Sequence, residues 1–95
     1  MSKRDEYVAK MKQLLDEQNA EIDKLEVKAR QAKADSKAKY HEQVSALRLK
    51  YQEGQKKLEA IKAAAEDSWE NLKGETEHVW EAFKDAVSQF KSHFK

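Results

Sequence analysis

The sequence predicts an all-α protein, in which a long coiled-coil-type helix and a short aromatic amphipathic helix associate as a helical oligomer. The 95 residues include no Pro, no Cys and only two Gly, so the chain lacks the turn residues of a β-domain and any disulfide framework. Apolar and small residues recur at steps of three and four, which is the period of a helix face. Charged residues make up 39% of the sequence, and no apolar run approaches the ~20 residues that cross a bilayer.

The first predicted element, residues 1–73, is one helix that runs from near Lys3 to near Lys73. Its apolar seam alternates steps of three and four, as in a coiled coil. Two successive steps of four, to Tyr40 and then to Val44, form a stutter that locally unwinds a left-handed supercoil. The seam contains Val8, Met11, Leu15, Gln18, Ile22, Leu25, Ala29, Ala32 and Ser36 before the stutter, and Leu47, Tyr51, Gly54, Leu58, Ile61 and Ala65 after it.

The length of this helix implies a partner for its seam. At 1.5 Å per residue it would extend about 100 Å, and such a helix cannot bury its apolar stripe against itself. We therefore expect it to pair with a second copy of the chain. The alternative is a three-helix fold-back, with reversals near Asp35–Ser36 and at Gly54, and a compact monomer would favour that alternative.

The second predicted element, residues 74–95, is a short amphipathic helix. Gly74 follows Lys73 and precedes acidic residues, which is typical of one helix ending and another beginning. Leu58, Trp69 and Trp80 begin three similar five-residue segments at an offset of 11. An 11-residue period is close to the natural helix period and favours a straight or slightly right-handed arrangement.

The aromatic residues near this helix form the best candidate for an interaction face. Aromatic side chains bury about 150–250 Å² each. We expect the face to pack in an oligomer or hairpin core. The alternative is peripheral binding to a lipid surface, because amphipathic 11-residue repeats with Trp and Phe also suit an interface. The predicted face consists of Trp69, Leu72, Val79, Trp80, Phe83, Val87, Phe90 and Phe94.

The charge balance argues against a dedicated nucleic-acid binder. Lys and Arg number 19 against 18 Asp and Glu, a formal net charge of +1, whereas such binders usually carry a strongly basic face. The segment from Lys24 to Lys39 is locally basic, with six basic and two acidic residues and a net charge of +4. It could contact phosphate or acidic lipid. The one aromatic residue, Tyr40, lies at its edge, so base stacking is not indicated, and we favour a solvated helix face.

Candidate chemical sites are few. Glu75 and His78 have the i,i+3 spacing of carboxylate-bridged di-metal bundles, but such a site needs two of these motifs and two further carboxylates. We interpret the pair as part of a solvated helix face and expect no metal or cofactor. The sequence has no Cys nucleophile, no Gly-x-Ser-x-Gly elbow and no Gly-rich phosphate loop. We therefore expect a protein without enzymatic activity.

The expected location is, by default, a bacterial-type cytoplasm. Lys3 and Arg4 are followed by acidic residues, with no apolar stretch behind them, so the start is unlike a signal peptide or a transit peptide. The absence of Cys fits a reducing compartment.

Three segments resemble a family of small bacterial coiled-coil proteins: Met1–Lys12, Ala20–Glu26 and Glu66–Lys73. The family is described as stress-response-associated and has no established biochemical activity, so the resemblance implies no catalytic residues. The resemblance covers nearly the whole chain. The predicted function is a structural or interaction role, in which a homo-oligomer scaffolds or protects a partner protein under stress. Peripheral lipid binding through the aromatic helix is the alternative.

Overall fold

The computed structural model describes residues 2–94, and the regular secondary structure in that range is entirely helical. Helix α1 spans Lys3–Arg30, helix α2 spans Ala34–Ala63 and helix α3 spans Lys73–Lys91. Short 3-10 helices occupy Trp69–Leu72 and Ser92–Phe94. The predicted all-α class is confirmed. In the described range no helix has both the length and the apolar content that crossing a bilayer would require.

The start and end of α1 follow ordinary helix chemistry. Ser2 has an extended backbone, and its hydroxyl accepts a hydrogen bond from the Asp5 amide at 3.1 Å, which caps the helix. Acidic residues lie in the first turn, and Lys28 and Arg30 lie in the last turn, so both ends complement the helix dipole.

The three helices form an up-down-up bundle 52 Å long and 19 by 17 Å across. Helices α1 and α2 are antiparallel because only Gln31–Lys33 joins them. Helix α3 returns parallel to α1. At one level the Tyr7 hydroxyl donates a hydrogen bond to Glu77, and further along Lys91 pairs with Glu21 at 3.8 Å.

The structure replaces the predicted continuous helix from Lys3 to Lys73 with a hairpin. The chain reverses first at residues 31–33, close to the predicted alternative at Asp35–Ser36, and again at residues 64–68. Folding back allows the seams of α1 and α2 to bury each other within one chain, which supplies the packing that a single long helix lacks. The fold-back is therefore the arrangement observed.

Neither glycine forms a reversal, in contrast to the sequence-based expectations. Gly54 lies buried in the middle of α2, and Gly74 is the second residue of α3. An isolated Gly within a helical pattern weakens the helix by only ~1 kcal/mol, which tertiary packing readily offsets.

The hydrophobic core of the described range consists of two clusters. The main cluster lies between α3 and the hairpin, and the second lies beside the N-terminal end of α3. The main cluster contains Met11, Leu15, Ile22, Leu25, Val44, Leu47, Leu58, Phe83, Val87 and Phe90. A second cluster contains Val8, Ile61 and Trp69. The 3-10 segment that precedes α3 therefore packs on the end of the α1–α2 hairpin rather than forming a free linker.

Gly54 marks a close approach between α1 and α2. A Cβ atom at this position would lie 2.8 Å from Cδ2 of Leu15, a side chain that is itself only 2% exposed. A Cβ atom at Gly74 would meet nothing within 4 Å. The two glycines therefore have different physical roles, although both lie in helices.

Alanine substitutions at the two glycines should separate these roles. We expect Gly74→Ala to raise the free energy of unfolding by up to about 1 kcal/mol, because Ala loses less backbone entropy in a helix. Gly54→Ala gains the same propensity but forces Leu15 to move, so we expect no net stabilisation. Urea denaturation followed by far-UV circular dichroism measures both. An equal gain at the two positions would contradict the role assigned to Leu15.

Candidate functional site

The predicted interaction face lies against the hairpin of its own chain. Trp69, Phe83, Val87 and Phe90 are each at most 4% exposed. Leu72, Val79, Trp80 and Phe94 are half-buried. The structure therefore brings the face together as the interior of one bundle. Its use by a partner stays a prediction.

The aromatic face divides between the two clusters of the core. Phe83 and Phe90 belong to the main cluster, and Phe90 packs edge-on to Tyr40 with ring centroids 5.9 Å apart. Trp69 belongs to the second cluster, where its ring lies 5.9 Å from that of Tyr7. The Lys73 ammonium lies 5.6 Å from the Trp69 ring centroid, within cation–π range. The two clusters hold opposite ends of the face.

The weak metal candidates Glu75 and His78 do not converge. The Glu75 carboxylate pairs with the Lys57 ammonium, and this hydrogen bond and charge hold the pKa of Glu75 below its usual value. His78 is exposed. Among residues 2–94, no three His, Asp or Glu side chains gather as metal ligands would. Glu75 instead ties α3 to α2.

Arg48 forms a polar link between α1 and α2 that sequence reasoning missed. Its guanidinium donates hydrogen bonds to Asn19 at 2.6 Å, Asp23 at 2.7 Å and Glu26 at 3.3 Å. These partners lie 22 to 29 residues away, so no local spacing signals them. The planar fork of Arg suits several acceptors at once, and it aligns the two helices near their connected end.

Two tyrosine hydroxyls add further links. Tyr51 donates to Asp16 at 2.8 Å, which lowers the pKa of Asp16, while burial and the same carboxylate raise the pKa of Tyr51. Tyr7 donates to Glu77, and burial together with the Glu77 charge raises the pKa of Tyr7 to about 12. Both phenols are therefore neutral donors near pH 7, and they join α1 to α2 and α1 to α3.

The locally basic segment lies at one end of the bundle. Residues 24–39, which we call the basic tip, comprise the last turns of α1, the connection and the first turns of α2. Helix α3 stops before it, and Phe94 packs on Tyr40 with ring centroids 5.0 Å apart. The tip is thus a two-helix projection. Its basic side chains are all exposed: Lys24, Lys28, Arg30, Lys33, Lys37 and Lys39.

Small clefts lie between each pair of helices; the cleft between α1 and α3 is lined mainly by polar and charged side chains, and the other two each include three or more apolar residues. One, of about 150 Å³, has a floor of Val8, Leu15 and Leu58 between α1 and α2. The other, of about 240 Å³, lies between α2 and α3 and includes Gln43 and His93. Polar side chains surround both clefts, and neither brings together a nucleophile and a base.

Comparisons with protein-family models, curated proteins and solved structures find no match. The likeness to a stress-response coiled-coil family stays a prediction.

Proposed function

We propose that this chain is a non-enzymatic helical bundle that works by contact with other proteins, first with a second copy of itself. The supporting observation concerns the connection between α1 and α2. Its residues do not favour a turn over a continuous helix, so the chain can also open and pair with a second copy. In the setting suggested by the family resemblance, the resulting homo-oligomer would scaffold or protect a partner protein under stress.

The connection Gln31–Lys33 consists of good helix formers. It contains no Gly or Pro, and no residue in the described range has a positive φ. Gln31 is still in the helical region at φ −88° and ψ −4°, and Lys33 is extended at φ −63° and ψ 153°. Lys33 occupies the N-cap position of α2 without a side-chain capping hydrogen bond. The reversal therefore has weak local support.

Continuing the helix through the connection would satisfy unused backbone donors. Within residues 2–94, the amides of Lys33, Ala34 and Asp35 donate no backbone hydrogen bond. In a continuous helix each would donate to the carbonyl four residues earlier. At about 1 kcal/mol net per hydrogen bond, straightening one connection would gain about 3 kcal/mol.

If the connection straightens, α1 leaves α2 and α3 of its own chain, and two copies of the chain can exchange their α1 helices. Residues 3–63 would form one helix about 90 Å long. The α1 of each copy would then pack on α2 and α3 of the other, with the same core contacts as in the closed bundle. A dimer straightens two connections, for a gain of about 6 kcal/mol. In the closed bundle, α1 meets α2 and α3 of its own chain at a millimolar effective concentration, which favours the monomer. The gain of about 6 kcal/mol outweighs this advantage, so dimers are expected at micromolar concentration.

The solution mass tests this proposal. We expect sedimentation equilibrium, from about 5 µM to about 500 µM, to give twice the chain mass of 11.1 kDa as concentration rises. A mass that stays at one chain up to the highest concentration would overturn self-association.

The variant Ala34→Pro tests the exchange. Pro is accepted at the first position of a helix, the extended Lys33 suits a following Pro, and the Ala34 amide makes no backbone hydrogen bond to lose. A continuous helix through a proline at this position would instead lose ~3 kcal/mol. We expect the variant to be monomeric with unchanged helicity, and Ala34→Ser to remain dimeric as the matched control. A dimer that persists in Ala34→Pro would overturn exchange through this connection.

Lipid binding by the aromatic helix has less support. Phe83, Val87 and Phe90 are at most 3% exposed, so α3 would have to leave the hairpin before these side chains could reach lipid. The contacts that lipid would replace already exist within the bundle.

A further inference from the structure

We propose that the basic tip, residues 24–39, docks end-on to an anionic lipid surface. In an exchanged dimer residues 24–39 would lie in the middle of the rod, so the inference concerns the closed bundle, in which they form its end. It rests on the position of the tip beyond α3, on the unpaired state of four of its lysines, and on the chemistry of its side chains.

The position of the tip makes it accessible. Lys91 near the end of α3 pairs with Glu21 at 3.8 Å, and the Phe94 ring packs on Tyr40, so the third helix ends at that level. Beyond it the rod narrows from three helices to two. The tip is therefore a convex end, which can bring side chains from both helices to a flat surface at the same time.

Four of the five lysines of the tip are unpaired, whereas half of the ten described lysines outside the tip form salt bridges. Within the described residues, Lys28, Lys33, Lys37 and Lys39 make no salt bridge. Outside the tip, salt bridges engage Lys12, Lys57, Lys62, Lys84 and Lys91. Four exposed ammonium groups therefore lie close to one connection, and within the described residues no salt bridge neutralises their charge.

The acidic residues of the tip reduce this field only in part. Glu26 is engaged by Arg48 at 3.3 Å and by Arg30 at 3.6 Å. Asp35, in the first turn of α2, is exposed and makes no salt bridge among residues 2–94. The net charge of residues 24–39 is +4, from six basic and two acidic side chains.

The side-chain types favour lipid over nucleic acid. Lysine is a compact point charge that binds diffuse negative charge, whereas planar recognition of single phosphates favours Arg, of which the tip has one. Base stacking would need exposed aromatic rings, but Tyr40, the nearest one, packs on Phe90 and Phe94. A duplex would also engage the end over a narrow width, whereas the field of a membrane plane reaches lysines on every side of the end within a Debye length, ~10 Å.

The expected binding is electrostatic and shallow. The large apolar residue exposed on the tip is Val27, at 50%, and its side chain is too small to anchor the bundle in hydrocarbon. Each Lys near an anionic surface strengthens partitioning about five-fold at physiological salt. Binding should therefore depend on the anionic lipid fraction and weaken steeply with ionic strength.

Vesicle co-sedimentation tests the proposal with the full chain. We expect binding to phosphatidylcholine vesicles that contain phosphatidylglycerol, and no binding to pure phosphatidylcholine vesicles. The variant K28Q/K33Q/K37Q should bind about 100-fold more weakly, from three losses of about five-fold each. The control K3Q/K10Q/K56Q removes the same charge from exposed lysines outside the tip and should bind within about two-fold of the original chain. Circular dichroism confirms that both variants fold.

Three results would overturn the proposal. Equal binding to neutral and anionic vesicles would remove the electrostatic basis. Equal losses in the two triple variants would show that total charge, and not the tip, determines binding. Binding of duplex DNA that requires Lys28, Lys33 and Lys37, without vesicle binding, would assign the tip to nucleic acid instead.

Discussion

Phe83→Ala is expected to lower the free energy of unfolding by about 3–5 kcal/mol. Phe83 is 0% exposed in the main cluster, where α3 meets both helices of the hairpin. Its ring lies 6.2 Å from Tyr51 and 6.4 Å from Trp80 between centroids. Truncation removes these contacts and leaves a cavity that three packed helices fill only in part. Because domains have total stabilities of about 5–15 kcal/mol, the variant should lose a large share of its stability.

Urea denaturation measures this loss, with Phe94→Ala as the matched control. Phe94 is a half-buried Phe near the end of the same face, where it packs on Tyr40. We expect its truncation to remove about 1–2 kcal/mol, since fewer contacts are lost and water can enter the space. Similar losses for the two variants would contradict a core centred on Phe83.

Trp69→Ala is expected to lower the free energy of unfolding by about 3 kcal/mol or more. Trp69 is 4% exposed and packs with Val8 and Ile61 at the end of the hairpin opposite the tip. It also anchors the short 3-10 helix that leads into α3. Its truncation should therefore loosen the entry of α3 as well as leave a cavity.

Trp80→Ala is the control for this prediction. Trp80 is half-buried and packs against the main cluster from its edge, so its loss should be smaller by at least about 1 kcal/mol. Fluorescence of the single-tryptophan chains gives a second measurement. The chain that keeps Trp69 should emit at shorter wavelength than the chain that keeps Trp80. Equal losses on denaturation, with equal emission, would contradict the anchoring role of Trp69.

The periodicity of the sequence predicted which residues are buried, but not what buries them. Met11, Leu15 and Ile22 lie on the predicted seam and are at most 4% exposed, and Leu47 and Leu58 beyond the stutter are similarly buried. The spacing of apolar residues shows which side of a helix is apolar. It is the same whether the facing helix belongs to this chain or to another, so it could not distinguish a hairpin from a pair of long helices.

The reversals were hard to predict because their residues are ordinary helix formers. Gln31–Lys33 has no Gly or Pro, and the glycine that interrupts the pattern, Gly54, serves close packing on Leu15. Local propensity therefore indicates continuation at the place where tertiary packing imposes a turn. The links from Arg48 were equally hidden, since long-range partners leave no spacing in the sequence.

The short connections also affect the order of events during folding. Three residues join α1 to α2, and most of the packing is between helices that are neighbours in the sequence. Helical proteins of this kind have low contact order and fold in about microseconds to milliseconds. Two chains at about 1 µM meet far more slowly, on the order of a second, at ordinary association rates. The closed bundle should therefore form first, and exchanged dimers should accumulate only later, so that the age of a sample affects the species present as much as its concentration does.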